Sequence, residues 1–460
     1  IIQPKLFYYS PKLSLNFIGD LNNTGQVALT PRDIRGFGGG FGFRAPSRSS
    51  GTNINLGNND LGFLTNQNNA LEIDYKLAAT NFSFSPKKSL DISGFLIFNV
   101  NDISSKQLNS RIYTDADLGI PDEKIENNNE IRSDQGLLKL STSYKPNSNN
   151  QLDYDLLGRI SKDVQYQNYL SSVVGNTNQM NESTPFSINQ NLNYYYTLNE
   201  NNIFALEVQH LIKDEDPFYN AVLMNDITNN DATNPNERDA FDTTAEVLGF
   251  NTVQNDYNIA QNRRVKSNQL DAKLDYYYII NGKSNLNLTL GTILSRQEFN
   301  SNMFQFLNNG TKLNPTPTIN NGRNENDTAY NFSDVYAGFH YRLKAGKFTI
   351  TPGFSLHAYV NKNTQFGTET KDNFFKLLPD FETLIQLKKS ESLTFRYEMR
   401  NQFTDITKLA QGLVFNTFDR IQYGEPELQN ARSHNLSLLY SSFNLFNYTN
   451  IFGRLAYSKN

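Results

Sequence analysis

The sequence predicts an all-β fold, a transmembrane antiparallel up-and-down β-barrel of about 16 strands with short periplasmic turns and long extracellular loops. Three observations support it: apolar and polar residues alternate with period two, short polar turns alternate with long polar segments, and no stretch has the roughly 20 apolar residues of a membrane helix. The chain of 460 residues is rich in Phe (33) and Tyr (25) and has no Cys or Trp. Barrel strands keep the average hydropathy low because only every second residue faces lipid.

The alternation is clear between Leu138 and Tyr144, where Leu, Leu, Thr and Tyr alternate with Lys139, Ser141 and Ser143. It recurs in segments 152–160, 270–278, 335–343 and 393–399. Successive side chains on a strand point to opposite faces, so each segment has one apolar and one polar face. The charged residues expected to face the lumen are Lys139, Asp153, Asp155, Arg159, Glu207, Asp271, Asp275, Arg342, Arg396, Glu398 and Arg400.

The connections alternate in length. Short turns are expected near 10–12, 85–89, 145–150, 199–202, 281–284, 344–347, 388–392 and 442–446, and Asn281–Gly282 is the strongest hairpin signal among them. Long loops are expected at 20–69, 102–135, 162–185, 214–264, 296–331, 361–373 and 403–431. Every second connection of an antiparallel sheet lies on the same side, so the short turns are predicted to be periplasmic and the long loops, including 20–69 and 214–264, extracellular.

Composition narrows the function. Without cysteine there is no disulfide framework, thiolate nucleophile or thiolate metal site. Lys and Arg total 42 against 46 Asp and Glu, so no basic stripe suggests a nucleic-acid partner. No nucleophile and base set stands out, and we expect neither an enzyme nor a cofactor. The substrate-binding residues are not identified by the sequence.

Possible metal and phosphate sites are weak. Of the four histidines, His210, His340, His357 and His434, the middle two flank one short turn. Pairing Leu343 with Phe348 would place His340 opposite Thr351 and His357 opposite Asp334, so lumen-lining histidines are favoured over a metal pair. The run Gly38–Gly39–Gly40 lacks the Lys and Ser/Thr of a phosphate loop. The acidic segment 115–130 lacks calcium-loop spacing and is interpreted as a solvated loop.

Several segments resemble the barrel of TonB-dependent receptors of the Bacteroidota type. Residues 6–15 resemble the first barrel hairpin of that family, and residues 70–75, continuing to 98–100, resemble the next. The segment 423–428 (Tyr-Gly-Glu-Pro-Glu-Leu), followed by 432–436 (Arg-Ser-His-Asn-Leu), is similar to the family signature Gly-Asn-Pro-x-Leu…Glu-x-Ser-x-Asn. Glu425 replaces the usual Asn, and Ala431 stands where Glu is common.

The resemblance implies a 22-stranded barrel with an N-terminal plug and a TonB-contacting segment. Neither is recognisable here, so residues 1–460 are interpreted as a partial barrel whose plug and last strands lie outside this chain. The resemblance also implies the outer membrane of a Gram-negative bacterium, contact with lipopolysaccharide, a TonB-type energiser, and uptake of an iron chelate, oligosaccharide or peptide. The alternative is a structural barrel in a secretion or insertion machine, with lipoproteins or other outer-membrane proteins as partners.

Overall fold

The computed structural model describes residues 1–24, 52–54, 70–112, 114, 122–173, 175–224, 241–428, 430–444 and 449–460. The first strands are β1 (Lys5–Tyr9), β2 (Leu13–Asn22), β3 (Thr52–Ile54), β4 (Ala70–Lys87), β5 (Leu90–Arg111), β6 (Glu123–Asn147), β7 (Asn150–Ser171), β8 (Gly175–Ser183), β9 (Phe186–Asn199), β10 (Asn202–Glu215) and β11 (Phe218–Met224). Helix α1 spans Asp242–Leu248. Among the described residues, no helix is long and apolar enough to cross a membrane.

The chain then returns to long hairpins. The remaining strands are β12 (Asp256–Asn281), β13 (Ser284–Phe306), β14 (Lys312–Leu313), β15 (Glu325–Ala345), β16 (Phe348–Gln365), β17 (Thr368–Lys388), β18 (Glu391–Phe403), β19 (Val414–Thr417), β20 (Arg420–Gln422), β21 (Ala431–Asn444) and β22 (Thr449–Lys459). Short 3₁₀ turns lie at Asn320–Gly322 and Ile406–Lys408.

A 20-stranded sheet contains every strand except the separate β19–β20 pair. Nearly all pairs are antiparallel and join neighbours along the chain. Strands β8 and β9 follow one line interrupted at Pro185, and β10 and β11 follow another interrupted at Pro217. Proline has no backbone N–H for the ladder, which explains why pairing breaks there. If β8 and β9 are counted as one strand, β10 and β11 as another, and the short β3 and β14 are left out, the sheet has about sixteen strands. The prediction of an up-and-down antiparallel barrel is confirmed.

The predicted short turns are confirmed where they fall on described residues; the last, at 442–446, lies partly outside them. Three of them begin with asparagine. The side-chain oxygen of Asn147, Asn199 or Asn281 accepts a hydrogen bond from the N–H two residues later, at 2.8–3.0 Å. Asparagine mimics a backbone turn in this way, so these turns close without a glycine at positive φ.

The predicted long loops are partly wrong. Strands β5 and β6 stay paired from Leu90↔Tyr144 to Arg111↔Glu123, through most of the expected loop at 102–135. Segment 162–185 contains the end of β7 and all of β8, and 361–373 is a tight hairpin in which Gln365 pairs with Thr368. Beyond the membrane both faces of a strand contact water. The alternation of apolar and polar residues is therefore lost there, although the strands remain paired.

Some predictions lie outside the described residues. These are the glycine run at 38–40, most of loop 20–69, the part of loop 214–264 from 225 to 240, and most of the first half of the acidic segment 115–130.

Candidate functional site

One face of the sheet carries an exposed apolar belt. On β13, Leu288, Leu290 and Leu294 are 46%, 63% and 44% exposed, whereas Ile293 and Ser295 on the other face are nearly fully buried. The belt continues on neighbouring strands through Val335, Phe354 and Leu356.

The belt has the height of a bilayer. It reaches from the turn after Asn281 to Leu294, close to the ~9–11 residues that a tilted strand needs to span lipid. Further along the same face the exposed positions are charged: Arg264 pairs with Asp214, and Arg296 pairs with Glu298. An apolar belt bounded by polar strand ends is the lipid-facing surface of an outer-membrane barrel, so this sheet is the wall of an outer-membrane β-barrel.

The opposite face carries buried charge. Register pairs Glu207 directly with Lys273, and the Lys273 Nζ lies 3.3 Å from Glu207 and 3.1 Å from Asp275. Asp275 also accepts hydrogen bonds from Asn287 and Thr289. All five side chains are buried. A buried carboxylate is tolerated when it is paired and hydrogen-bonded in this way.

The predicted register around the two central histidines is wrong. The turn lies at Gly346, so Leu343 pairs with Ile350, and His340 lies opposite Gly353 instead of Thr351. His357 lies opposite Tyr336, although its Nδ1 still reaches Asp334 diagonally at 2.9 Å.

Each of these two histidines has its own carboxylate. His340 contacts Asp380 at 2.8 Å through Nε2, whereas His357 contacts Asp334. Among the described residues no three His, Cys, Asp or Glu side chains gather as metal ligands would. The two histidines are therefore separate parts of the buried polar face.

Strand β18 separates from β17 partway along its length. Its pairing with β17 ends at Asp380↔Glu398, although β17 continues to Thr368. Beyond that point β18 keeps β21 on one side and gains a parallel contact with β3 from Asn401 to Phe403. Phe403 is fully buried against Phe332 and Tyr359 of the inner face, with ring centroids 4.2 and 5.1 Å apart. The end of β18 therefore directs the chain into the interior.

Residues 404–428, which we call the interior segment, are held by side chains of the wall. Gln365 donates to the Leu409 carbonyl at 2.7 Å and accepts from the Gln411 N–H at 3.0 Å. Asn326 makes the same two-way contact with Gly412, and Gln261 with the carbonyl of Leu413 and the N–H of Phe415. Three amide side chains on β16, β15 and β12 thus satisfy a backbone that has no strand partner in the wall.

Two apolar clusters fill the space around this segment. One joins Leu413, Phe415 and Phe418 to α1 and to β11–β13, and the other joins Ile406, Leu409, Ala410 and Val414 to β13, β15 and β16. At the first cluster Tyr219 donates to Gln179 and accepts from the Phe418 N–H, both at 2.7 Å. Burial raises the pKa of Tyr219, so its hydroxyl stays protonated.

A cavity of about 820 Å³ lies beside the interior segment. One wall is the inner face of β15–β17, where register places Tyr330, Asn363 and Thr370 in one row and Asn361 and Asp372 in the next. Phe374 and Lys376 of β17 complete this first wall. The other side is formed by the interior segment, β18, β21, the end of β22 and the residues next to them. Its lining residues are Asn401, Thr404, Leu409, Pro426, Glu427, Leu428, Asn430, Arg432, His434, Lys459 and Asn460.

Sequence reasoning found the charged lumen residues but missed the interior segment, which it placed in an outside loop at 403–431. The available signal was the apolar content of that loop, since Ile406, Leu409, Leu413, Phe415 and Phe418 are unusual in a solvated connection. A third buried cluster, of apolar residues on β4–β7 that include Tyr75, Phe95 and Leu137, was also not predicted.

The glycine of the family-like signature has a structural role here. Gly424 donates to the Ala410 carbonyl at 2.6 Å, and a side chain at this position would collide with the backbone of Lys408. It lets the interior segment fold back on itself.

No protein-family model matches the chain, and no curated protein matches it either. Among solved structures, the chain is similar to the ferric-catecholate import receptor Fiu from K12 E. coli, at 10% identity and a TM-score of 0.49 over 84% of this chain and 56% of that one. It is also similar to the siderophore receptor PiuA from Acinetobacter baumannii (8% identity, TM-score 0.49, 83% and 55%) and to the ferric citrate transporter FecA (10% identity, TM-score 0.41, 80% and 49%). The chain spans about half the length of these proteins.

Proposed function

We propose that this chain forms the barrel of an outer-membrane uptake receptor of the TonB-dependent type. The observation that supports this most is the cavity, which lies inside a lipid-facing wall and is bounded by a segment of the barrel's own chain. Concave, mixed polar and aromatic cavities are where small ligands bind. A ligand would enter from the long-loop side, which is extracellular in such barrels.

The interior segment closes the path below the ligand in this proposal. Its amide contacts and apolar packing block free diffusion through the loop-side half of the barrel. Passage would need that segment, or the wall beside it, to rearrange. A TonB-type energiser acting through a plug domain would supply the work.

We further propose that the wall is completed by additional strands and accompanied by a plug. Among the described residues, β1 pairs only with β2, and β22 only with β21. Unpaired backbone groups in lipid cost several kcal/mol each, so the outer edges of these two strands need partners. Lipopolysaccharide would cover the belt in the outer leaflet.

Gene deletion combined with analysis of the growth medium tests uptake. A strain lacking this gene should leave one class of nutrient unconsumed in a complex medium, and a strain lacking the TonB-type energiser should leave the same class. Unchanged consumption in the deletion strain contradicts the uptake proposal.

A structural role in a larger outer-membrane assembly is the second candidate. It is favoured by the filling of the loop-side interior with two packed clusters, which suits a rigid scaffold as well as a receptor. Stable co-purification with several other outer-membrane proteins from native membranes, together with unchanged nutrient consumption after gene deletion, supports this role over uptake.

A further inference from the structure

We infer that the cavity beside the interior segment binds a neutral, hydroxyl-rich ligand of the oligosaccharide class. This inference rests on the proposed function, because it treats the cavity as the cargo site of an uptake receptor. It depends on three features of the lining: amide groups without hydrogen-bond partners, aromatic side chains, and charged side chains of both signs.

Two amide side chains in the lining have unused hydrogen-bonding capacity. Asn401 is only 3% exposed, and its Nδ2 has no hydrogen-bond partner among the described residues. The Oδ1 of Asn361 is likewise buried and unpartnered within that part of the chain. Leaving such a group unsatisfied is unfavourable, and a ligand hydroxyl that reaches it from the cavity would supply the missing hydrogen bond.

A hydroxyl group suits this pair. One amide offers a donor and the other an acceptor, and a sugar hydroxyl can both accept and donate. Asn363 and Thr370 lie in the neighbouring row of the same wall and add further neutral polar groups. A site built to hydrogen-bond hydroxyls discriminates strongly against ligands that lack them, because its own groups are then left unpaired.

Aromatic side chains supply the apolar part of the site. Tyr330 and Phe374 both line the cavity from the β15–β17 wall, two register rows apart. Sugar rings have apolar C–H faces between their hydroxyl edges. A lining that mixes amides with aromatic rings matches that division of the ring surface.

The lining carries charged side chains of both signs. Asp372 and Glu427 line the same cavity as Lys376, Arg432 and Lys459. The carboxylates can accept hydrogen bonds from hydroxyl groups and the cationic side chains can donate to them, so these charges suit a neutral, hydroxyl-rich ligand. The cavity volume of about 820 Å³ is within the range of small-molecule sites, roughly 300–1,000 Å³, and accommodates a short oligosaccharide.

Binding measurements on the full protein, purified from native membranes in detergent, test the inference. The protein is applied to an array of neutral, sialylated and sulfated oligosaccharides, and the dissociation constant of the strongest neutral ligand is measured by calorimetry. We expect binding to neutral glycans. Binding only to anionic glycans, or to no glycan on the array, would overturn the inference.

Variants locate the site. Asn401→Leu and Asn361→Leu should each weaken the neutral glycan by about tenfold or more. Asn373→Leu is the matched control, because Asn373 lies on β17 between Asp372 and Phe374 but is exposed and does not line the cavity. Heat-modifiable migration on gels confirms that each variant is folded. Equal weakening by all three, or by none, contradicts the assignment.

Failure of this inference and failure of the proposed function are distinguishable. If the gene deletion leaves a ferric chelate unconsumed in an energiser-dependent way, uptake stands and the ligand class is wrong. If a neutral glycan binds at Asn401 but its consumption is unaffected by deletion, the site stands and the uptake function is wrong.

Discussion

The wall strands and the interior segment are held by different kinds of hydrogen bond. Strands β12 and β13 pair backbone to backbone from Asn258↔Phe306 to Asn281↔Ser284, and such a ladder needs only alternating residues of the right polarity. The interior segment is instead joined to the wall by particular side chains, chiefly Gln261, Asn326 and Gln365. Point substitutions should therefore affect the two regions very differently.

The largest effect is expected where the wall itself depends on particular side chains. Lys273→Met leaves the buried Glu207 and Asp275 without their cation, and breaking a buried pair costs about 3–5 kcal/mol. The free energy of unfolding should fall by that amount in urea titrations of protein refolded into vesicles. Lys266→Met, at an exposed position on the same strand, is the control. Similar losses in both variants would show that the buried charges are not specifically important.

Adding one methyl group at Gly412 should displace the interior segment. A side chain at Gly412 would collide with the backbone carbonyl of Glu325, which cannot move aside as a flexible side chain can. Gly412→Ala should cost about 1–3 kcal/mol locally, and hydrogen exchange of the interior segment should accelerate by roughly tenfold or more. Exchange in β12 and β13 should stay unchanged.

Gly282→Ala is the control for that substitution, since a side chain there meets nothing within 4 Å. Unaltered exchange at Phe415 and Phe418 in Gly412→Ala would contradict the close approach of the segment to β15.

Removing one wall amide should have a smaller effect. Gln365→Leu deletes the hydrogen bonds to the buried Leu409 carbonyl and to the half-buried Gln411 N–H and leaves both groups unpaired, at about 1–2 kcal/mol. Limited proteolysis should then cleave the interior segment faster, while Gln107→Leu, an exposed change on β5, leaves the rate unchanged. Faster cleavage in both variants would indicate a global effect.

The smallest effect is expected at the outer rim. Arg264 forms a two-pronged contact with Asp214 at 3.0 and 2.8 Å, and this hydrogen bonding holds the pKa of Asp214 below its ordinary value. A lowered carboxyl pKa stabilises the fold above the ordinary value near 4 and loses that contribution as the pH falls through the lowered one.

A double-mutant cycle with Arg264→Ala and Asp214→Ala should give a coupling below about 1 kcal/mol at pH 7, because the pair is exposed. The coupling should vanish in acid. A larger coupling that persists in acid would contradict this account.

The difference between the two regions also explains what the sequence could reveal. The wall follows from a local period-two rule, so segments such as 270–278 and turns such as that after Asn281 are predictable from neighbouring letters. The strand ends beyond the belt were interpreted as loops because polar residues such as those of 102–111 occupy both faces there. Beyond the belt, whether a segment continues as a strand depends on its partner strand, and the local sequence pattern does not contain that information.

The interior segment was missed for a related reason. Its position depends on contacts between residues far apart in the chain, such as Gln261 with Phe415 and Tyr219 with Phe418. Sequence patterns identify an apolar loop but not the strands that receive it. The cavity follows from that placement, so Asn401 and Asn361 could be recognised as ligand-binding candidates only from the structure.

The position of the bilayer on β13 tests the central claim most directly. Because the chain has no cysteine, Leu290→Cys and Asn300→Cys give single labelling sites on the outer face of one strand, within and beyond the belt. In vesicles, a bimane label at 290 should be quenched by lipids carrying a spin label in the acyl chain and not by iodide, and a label at 300 should show the reverse. Equal quenching of both labels by iodide would contradict a membrane-spanning wall.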